Sequence, residues 1–571
     1  MAIIAAVFFP LLCAAGVLAF GKKYPVANKI FAFLGALGVI VALADLFSVS
    51  FSMFYAGWVV PLSFFAGIFE NTVLAALVFF ALIVLIYSLK TKIENEKWFY
   101  FSLLFTLSFA NGAVLADNLV LMLFFWEGLL LSLYVFIVSN AGAQQTAFKA
   151  FIINAVGDIA LLSGVVLTAF AAGSAEISII KTGPVALEGY GAWAFLLMCA
   201  GALAKAGAVP FHSWIPDAAE KTNVSFMALL PSAFEKILAV FLLGRIMTLF
   251  SFADGNLGGQ ILVCLSVPSV IVAVFMLFKQ KDLKGFISYN IILQIGLLAF
   301  EQGAAMGGPD ELINHGIYKA AALAGLFLCA GIIEFSAGAS AFDKIGGAFK
   351  KIKITAAFFI IFSAVLCGVT PLNLFFTPSY AGLESGNIYG VIFIALVYVF
   401  MTAAFLKAIT VLFKGNAQGK PAPALLNFSA GVLAVLVLLF AAGWVFDAEK
   451  IFNLARADFA FTWVSAVGIG VIVAAAVLRV WSAALSKFNF LRFTPPDFYG
   501  AARAVSLAVS TALYKTDRFF DFIIDVMPST VFRRFSKKAS AMHTGLSISY
   551  ILWALLGALV FAVLSLSGGW V

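Results

Sequence analysis

Eight ionisable side chains lie near the centres of long apolar runs, where charges are seldom left. They are Glu127 in FFWEGLLLSL, Asp158 in NAVGDIALL, Lys205 in GALAKAGAVPF, Glu235 and Lys236 in PSAFEKILAV, His315 and Lys319 in NHGIYKAAAL, and Lys407 in AAFLKAITVL. A charge at a bilayer centre costs about 2.5–3.5 kcal/mol on insertion scales, so eight would total on the order of 20–28 kcal/mol if left alone. They must be paired, neutralised or hydrated. Buried ion pairs that fasten helices together account for any one of them. The whole set, with five nitrogen bases spread over four runs, reads better as a polar axis through a membrane.

Those residue types suit proton movement. A lysine in low dielectric holds its proton less firmly, and a nearby carboxylate restores the hold. A lysine whose carboxylate partner moves can therefore release and rebind a proton, and Glu127 with Lys205 is the expected pair. His315 precedes Lys319 by four residues and shares its helix face. Histidine changes charge nearest neutral pH and suits a relay. Lys205 is followed by Gly207 and Pro210, and a later run holds Pro371 and Pro378 in GVTPLNLFFTPSYAG. Proline removes a backbone donor and breaks helices. Two broken helices in corresponding halves point to inverted repeats around an ion path.

The elements that position these residues follow from composition. Of 571 residues, 64% are hydrophobic and 11% charged, and the mean hydropathy is +1.09. Soluble domains carry about 25% charged residues, so a soluble enzyme and a nucleic-acid-binding chain are both excluded. The chain reads as an all-α polytopic membrane protein with about sixteen spans of roughly 20 residues each. Their approximate limits are 2–20, 27–47, 70–89, 98–115, 118–138, 147–172, 192–218, 224–250, 258–278, 284–303, 311–335, 354–384, 388–413, 424–446, 460–482 and 546–567. The uncharged, alternating stretch SVSFSMFYAGWVVPLSFFAG between the second and third spans fits a short exposed hairpin.

The net charge of +8 is distributed by loop. Loops after odd-numbered spans hold Lys22, Lys23, Lys90, Lys92, Lys97, Lys279, Lys281, Lys284, Lys344, Lys350, Lys351, Lys353, Lys414 and Lys420; the even loops hold Lys181, Lys450 and Arg456. The positive-inside rule puts the odd loops in the cytoplasm and both termini outside, in a cell inner membrane. MAIIAAVFFPLLCAAGVLAF lacks a basic leader and reads as a retained first span. Residues 497–542 mix Arg503, Lys515, Arg518, Arg533, Arg534, Lys537 and Lys538 with Phe519, Phe520, Phe522 and Ile523. That pattern predicts an amphipathic surface helix, bent or divided at Pro528. The five cysteines sit singly in apolar runs and read as small hydrophobes. Metal, iron–sulfur and disulfide roles are not expected, and no cofactor is expected in this chain.

WEG, AVGD, GALAKAGAVPFHSWIPDAA, HGIYKAAAL and TPLNLFF occur in that order. They resemble the signatures of the antiporter-like, proton-pumping membrane subunits. That family is shared by respiratory complex I, Mrp-type cation/proton antiporters, energy-converting membrane hydrogenases and formate hydrogenlyases. The resemblance covers about 98–415, and the surface helix before a last span is similar to the largest of complex I's three antiporter-like subunits. It implies that Glu127 and Lys205 couple the first half-channel, that Asp158 is the acidic position between them, and that His315 and Lys319 connect the half-channels. Two positions depart from the pattern. Leu229 stands at a family histidine position, with Lys236 as a replacement relay. Pro378 in FFTPS replaces an exit lysine, with Lys407 one span later as a substitute.

The implied organisation is N-terminal membrane helices over 1–97, half-channel repeats over 98–250 and 251–415, peripheral helices over 416–490, the lateral helix over 491–545 and a last membrane helix over 546–571. The expected function is proton translocation, with sodium as an alternative ion, in a multisubunit redox-driven complex. Its partners would be other membrane-arm subunits and a peripheral redox module. The departures lean toward the hydrogenase branch over the NADH:quinone oxidoreductase branch. An Mrp-type Na+/H+ antiporter subunit without a redox partner is the second reading, and a channel-inactive scaffold the third.

Overall fold

A computed structural model describes residues 1–46, 49–53, 62–252, 257–304, 309–369, 388–415 and 419–451, and beyond 499 mainly 527–541 and 547–566. The N-terminal helices are α1 (Ala2–Phe20), α2 (Pro25–Ala44), α3 (Ile68–Ser88), α4 (Glu96–Leu115), α5 (Leu119–Val138) and α6 (Gln144–Ala172). The uncharged stretch before α3 forms a hairpin, as its alternation suggests. β1 (Val49–Met53) pairs antiparallel with β2 (Leu62–Ala66), Ser52 facing Ser63. The hairpin is not wholly exposed, since Phe64 and Ala66 are buried. Asn118 caps α5, its side chain accepting from the N–H groups of Val120 and Leu121 at 2.9 and 3.3 Å.

The central part comprises α7 (Ile177–Thr182), α8 (Tyr190–Lys205), α9 (Trp214–Lys221), α10 (Val224–Leu229) and α11 (Glu235–Leu249). Two-residue strands β3 (Val185–Ala186) and β4 (Phe250–Ser251) pair in parallel. These pairings are small additions to the expected all-helical fold. The last helices of this unit are α12 (Leu257–Lys279), α13 (Leu283–Gly303), α14 (Pro309–Ala337), α15 (Lys353–Leu366), α16 (Ile388–Phe413) and α17 (Ala424–Ile451). Asp282 caps α13 by accepting from Lys284 N–H at 2.8 Å.

Among the described residues, twelve helices are long and apolar enough to cross a membrane. They coincide with twelve of the sixteen expected spans. Of the other four, α8 is shorter because it ends at Lys205. Helix α15 has 14 residues, and the stretch that follows lies outside the described residues. So does 460–482. The fourth is α19 (Ser547–Leu566), a 20-residue apolar helix.

Residues from Met1 to Pro496 form one compact unit and those from Asp497 a second. In the second, α18 (Met527–Ala541) precedes α19. The residues just before α18 lie outside those described, and with them the expected bend or division at Pro528. Arg533, Arg534, Lys537 and Lys538 of α18 are exposed. Most of the expected surface helix before Met527 lies outside the described residues.

Burial separates two kinds of helix. Of the 18-residue apolar windows, those of α1 and α2 are 39% and 33% buried, whereas α13 is 94% buried and the span from Val224 to Leu249 is 100% buried. The inner helices carry the polar side chains, and the outer ones are the more exposed.

Candidate functional site

Helices α6 and α8 bring the first acid and base together. At Gly157 an added Cβ would lie 2.4 Å from the Ala204 Cβ, and at Gly201 one would lie 2.6 Å from the Leu161 Cβ. This close approach places Asp158 and Lys205, the neighbours of Gly157 and Ala204, across the contact. The Lys205 Nζ donates to both Asp158 oxygens, at 2.8 Å to Oδ2 and 3.1 Å to Oδ1. Both side chains are buried.

The direct bond of Lys205 is thus to Asp158, and Glu127, its expected coupling partner, lies within electrostatic reach of both. Helix α8 packs chiefly on α6, and α6 stands between it and α5. Glu127 lies on an exposed face of α5. Nearer one end of α6, Lys149 donates to Asp217 of α9 at 2.9 Å.

Lys205 is the last residue of α8 because the backbone turns there. Gly207 adopts φ 76°, Gly207 N–H donates to Ala204 O at 2.9 Å, and Ala208 N–H to Leu203 O at 2.9 Å. These bonds make a Schellman termination, and Pro210 lies in the connection to α9. The lysine thus sits at a helix end inside the protein. Pro371 and Pro378, the other expected break, lie outside the described residues.

A second irregularity comes one helix later. Between α10 and α11, Leu230–Phe234 forms a π-turn, and such turns are frequent at functional sites. It directly precedes Glu235 and Lys236, both buried. Lys236 Nζ donates to the backbone carbonyl of Ile291 on α13 at 3.0 Å. Glu235 Oε2 accepts no hydrogen bond among the described residues. Leu229, at the family's histidine position, is fully buried. Helix α11 packs against both α8 and α14, so Glu235 and Lys236 stand between the Lys205 pair and the next cluster.

That cluster contains a residue the sequence pattern does not single out. Glu301, near the end of α13, receives Lys319 Nζ on Oε1 at 3.3 Å, while His315 Nδ1 lies 3.0 Å from Oε2. Glu301, His315 and Lys319 are 4%, 6% and 1% exposed. His315 and Lys319 share a helix face, as their spacing requires, and the carboxylate spans them.

Arg245 and Glu70 form another buried pair, 3.3 Å apart. The guanidinium also donates to the carbonyls of Val114 at 2.7 Å and Ala116 at 3.0 Å, closing the end of α4, and lies 4.5 Å from the Phe241 ring. Glu70 accepts from Gly67 N–H at 3.1 Å. The pair is turned toward fixed partners, which marks a structural joint.

Lys407 stands apart from the buried groups. Its side chain is exposed and Nζ donates to the Phe278 carbonyl at 3.2 Å, in the last turn of α12. It lines a cavity of about 510 Å³ with Gln280, Lys281, Phe342 and Asp343. These belong to the lysine-rich connections after the ninth and eleventh expected spans. Lys407, the expected substitute for the exit lysine, is thus placed at this connection and not among the buried groups. Four of the cysteines are buried, Cys264 is exposed and all are unbridged. Among the described residues no group of three or more His, Cys, Asp or Glu could hold a metal ion.

The family model described as NADH:quinone oxidoreductase/Mrp antiporter, TM, matches residues 116–406. A probable K(+)/H(+) antiporter component of Rhizobium meliloti is 31% identical over 277 residues, covering 46% of this chain and 27% of that protein. A Na(+)/H(+) antiporter component of Staphylococcus aureus is 29% identical over 404 residues, 63% of this chain and 49% of the relative. The chain thus spans about half or less of these relatives' length. Among solved structures, the Mrp complex from Dietzia sp. DQ12-45-1b matches with TM-score 0.73 and 18% identity, over 99% of this chain and 62% of that one. The archaeal membrane-bound sulfane sulfur reductase matches with TM-score 0.67 and 18% identity, over 83% and 99%. Respiratory complex I from Thermus thermophilus matches with TM-score 0.62 and 21% identity, over 76% and 96%. At these identities the structures establish a shared fold.

Proposed function

The chain belongs to the NADH:quinone oxidoreductase/Mrp antiporter family of membrane proteins, and from that premise we propose that it is a proton-translocating subunit of a multisubunit membrane complex. The observation that carries the reading is the buried series from Lys205–Asp158, through Glu235 and Lys236, to Lys319–Glu301–His315. The two ends of the series are acid–base pairs whose members compete for a proton, and the series runs across α6, α8, α11, α13 and α14. Charges are costly there, and a purely structural role would need fewer of them. Glu127 enters the axis from the exposed face of α5, where a neighbouring membrane subunit would cover it.

In this reading 98–250 and 251–415 are the two half-channels, and the membrane holds sixteen crossings. The additional four are α8 with its broken extension, α15 with the residues after it, 460–482, and α19. The segment 491–545 lies along the membrane surface. Lysine-rich odd loops face the cytoplasm and both termini face outward, in the plasma membrane. A peripheral redox module drives the complex, on the hydrogenase-like or NADH:quinone-oxidoreductase-like pattern, and the chain itself holds no cofactor. The second reading, cation/proton exchange without a redox partner, is favoured by the relatives named as Na(+)/H(+) and K(+)/H(+) antiporter components.

The test is proton movement by the purified native complex in sealed vesicles, first with an electron donor and then with an imposed Na+ gradient. Lys205→Ala and Asp158→Asn should each abolish proton movement in a complex that still assembles. Full pumping by Lys205→Ala would overturn the reading, and proton movement driven only by the cation gradient would select the second one.

A further inference from the structure

Glu301 lies outside the motifs that carry the family resemblance, yet it has the most connected carboxylate in the buried series. It is two residues before the end of α13. His315 and Lys319 face it from α14, one turn apart on the same face. Each base meets a different oxygen of Glu301, Lys319 on Oε1 at 3.3 Å and His315 on Oε2 at 3.0 Å. We propose that Glu301 is the relay carboxylate that carries a proton between Lys319 and His315, a role that rests on the translocation reading above.

The step balances with no other reactant. An N–H bond of the Lys319 ammonium breaks, leaving a neutral amine, and an O–H bond forms on Glu301. The carboxyl then gives up its proton to Nδ1 of neutral His315, leaving a carboxylate and an imidazolium. The reverse sequence resets the site. Between the two steps the carboxyl turns about its Cγ–Cδ bond, so the O–H made on the Lys319 side is presented to His315 and the proton crosses without the lysine leaving its position.

Among the described residues, the helices packed against the site bring few other charged groups. Helix α12, packed along α13, carries one charged residue, Lys279 at its far end, and α16 carries only Lys407. Helix α11 contributes Glu235, Lys236 and Arg245. Lys236 bonds the carbonyl of Ile291, ten residues from Glu301 or about 15 Å along α13. A static ion pair would need one base, whereas here a single carboxylate is divided between two.

The experiment uses the complete complex in vesicles. Glu301→Gln keeps the size of the side chain and an oxygen for Lys319, but it cannot take up the proton. Translocation should fall at least about 100-fold, within the range for loss of a positioned proton-transfer group, while assembly is retained. Glu301→Asp should restore part of the rate. Wild-type translocation by Glu301→Gln would overturn the relay. If Lys205→Ala abolishes translocation while Glu301→Gln does not, only the relay fails. If neither variant changes the rate, the translocation reading itself fails. Should Glu301→Gln not assemble, the wild-type complex with isotope-labelled glutamate is followed by infrared difference spectroscopy during turnover. A transient glutamic-acid carbonyl signal that is lost in His315→Gln supports the relay, and its absence overturns it.

Discussion

Lys205 Nζ sits 2.8 Å from Asp158 Oδ2 across the α6–α8 contact, with side chains 3% and 4% exposed. A pair this deep gains little over an apolar pair of equal size, because both charges have lost their water. Removing one partner is different, since it leaves a buried charge. Asp158→Asn should therefore destabilise the subunit by about 3–5 kcal/mol, read as an earlier thermal transition of the purified complex. The double variant Asp158→Leu with Lys205→Met should recover most of that stability and still move no protons. Recovery of both stability and proton movement would mean that the pair only fastens helices.

Arg245 and Glu70 make the contrasting case. The guanidinium serves three carbonyls at the end of α4, Glu70 and the Phe241 ring together. Lysine lacks the planar fork that matches such an array. Arg245→Lys should destabilise the complex by about 1–3 kcal/mol through unsatisfied buried groups. The rate per assembled complex should be unchanged, since no atom of the pair is divided between competing bases. A lower rate with unaltered thermal stability would place Arg245 on the proton path instead.

These pairs show where a sequence stops being informative. The membrane helices were legible because lipid demands long apolar runs, and twelve expected spans coincide with twelve apolar helices. The charges at Asp158, Lys205, Lys236, His315 and Lys319 were legible for the same reason. Partnership was not. Glu127 and Asp158 lie at similar depths on adjacent helices, and only packing reveals that α8 faces α6. Glu301 escaped notice because it sits beside a connection, where an acid needs no explanation until α14 is seen to fold back on it. The carbonyl of Ile291, which holds Lys236, has no signal in sequence at all.

Glu127 yields a prediction about assembly. It is the ninth residue of the 20-residue helix α5 and lies on an exposed face. A carboxylate facing lipid at that depth would cost about 2.5–3.5 kcal/mol, so a neighbouring membrane subunit should cover it. In a Cys264→Ser background, which removes the exposed native thiol, Glu127→Cys should resist a lipid-soluble maleimide in the intact complex. It should react once the neighbouring subunit is deleted. Equal reactivity in both preparations would show that α5 faces lipid throughout.

Lys407 gives the sharpest contrast between position in sequence and position in space. One span beyond the missing exit lysine, it had the right residue type for a replacement. Its Nζ instead meets the Phe278 carbonyl near the end of α12, beside Lys281 and Asp343. A cation there offsets the negative end of a helix, worth about 0.3–1 kcal/mol. Lys407→Ala should therefore lower thermal stability by no more than about 1 kcal/mol and leave proton translocation at the wild-type rate. Lys407→Arg, which keeps the cation, should restore the stability. A rate that collapses in Lys407→Ala and returns in Lys407→Arg would make Lys407 part of the path. It would then open that path on the side of the lysine-rich connections.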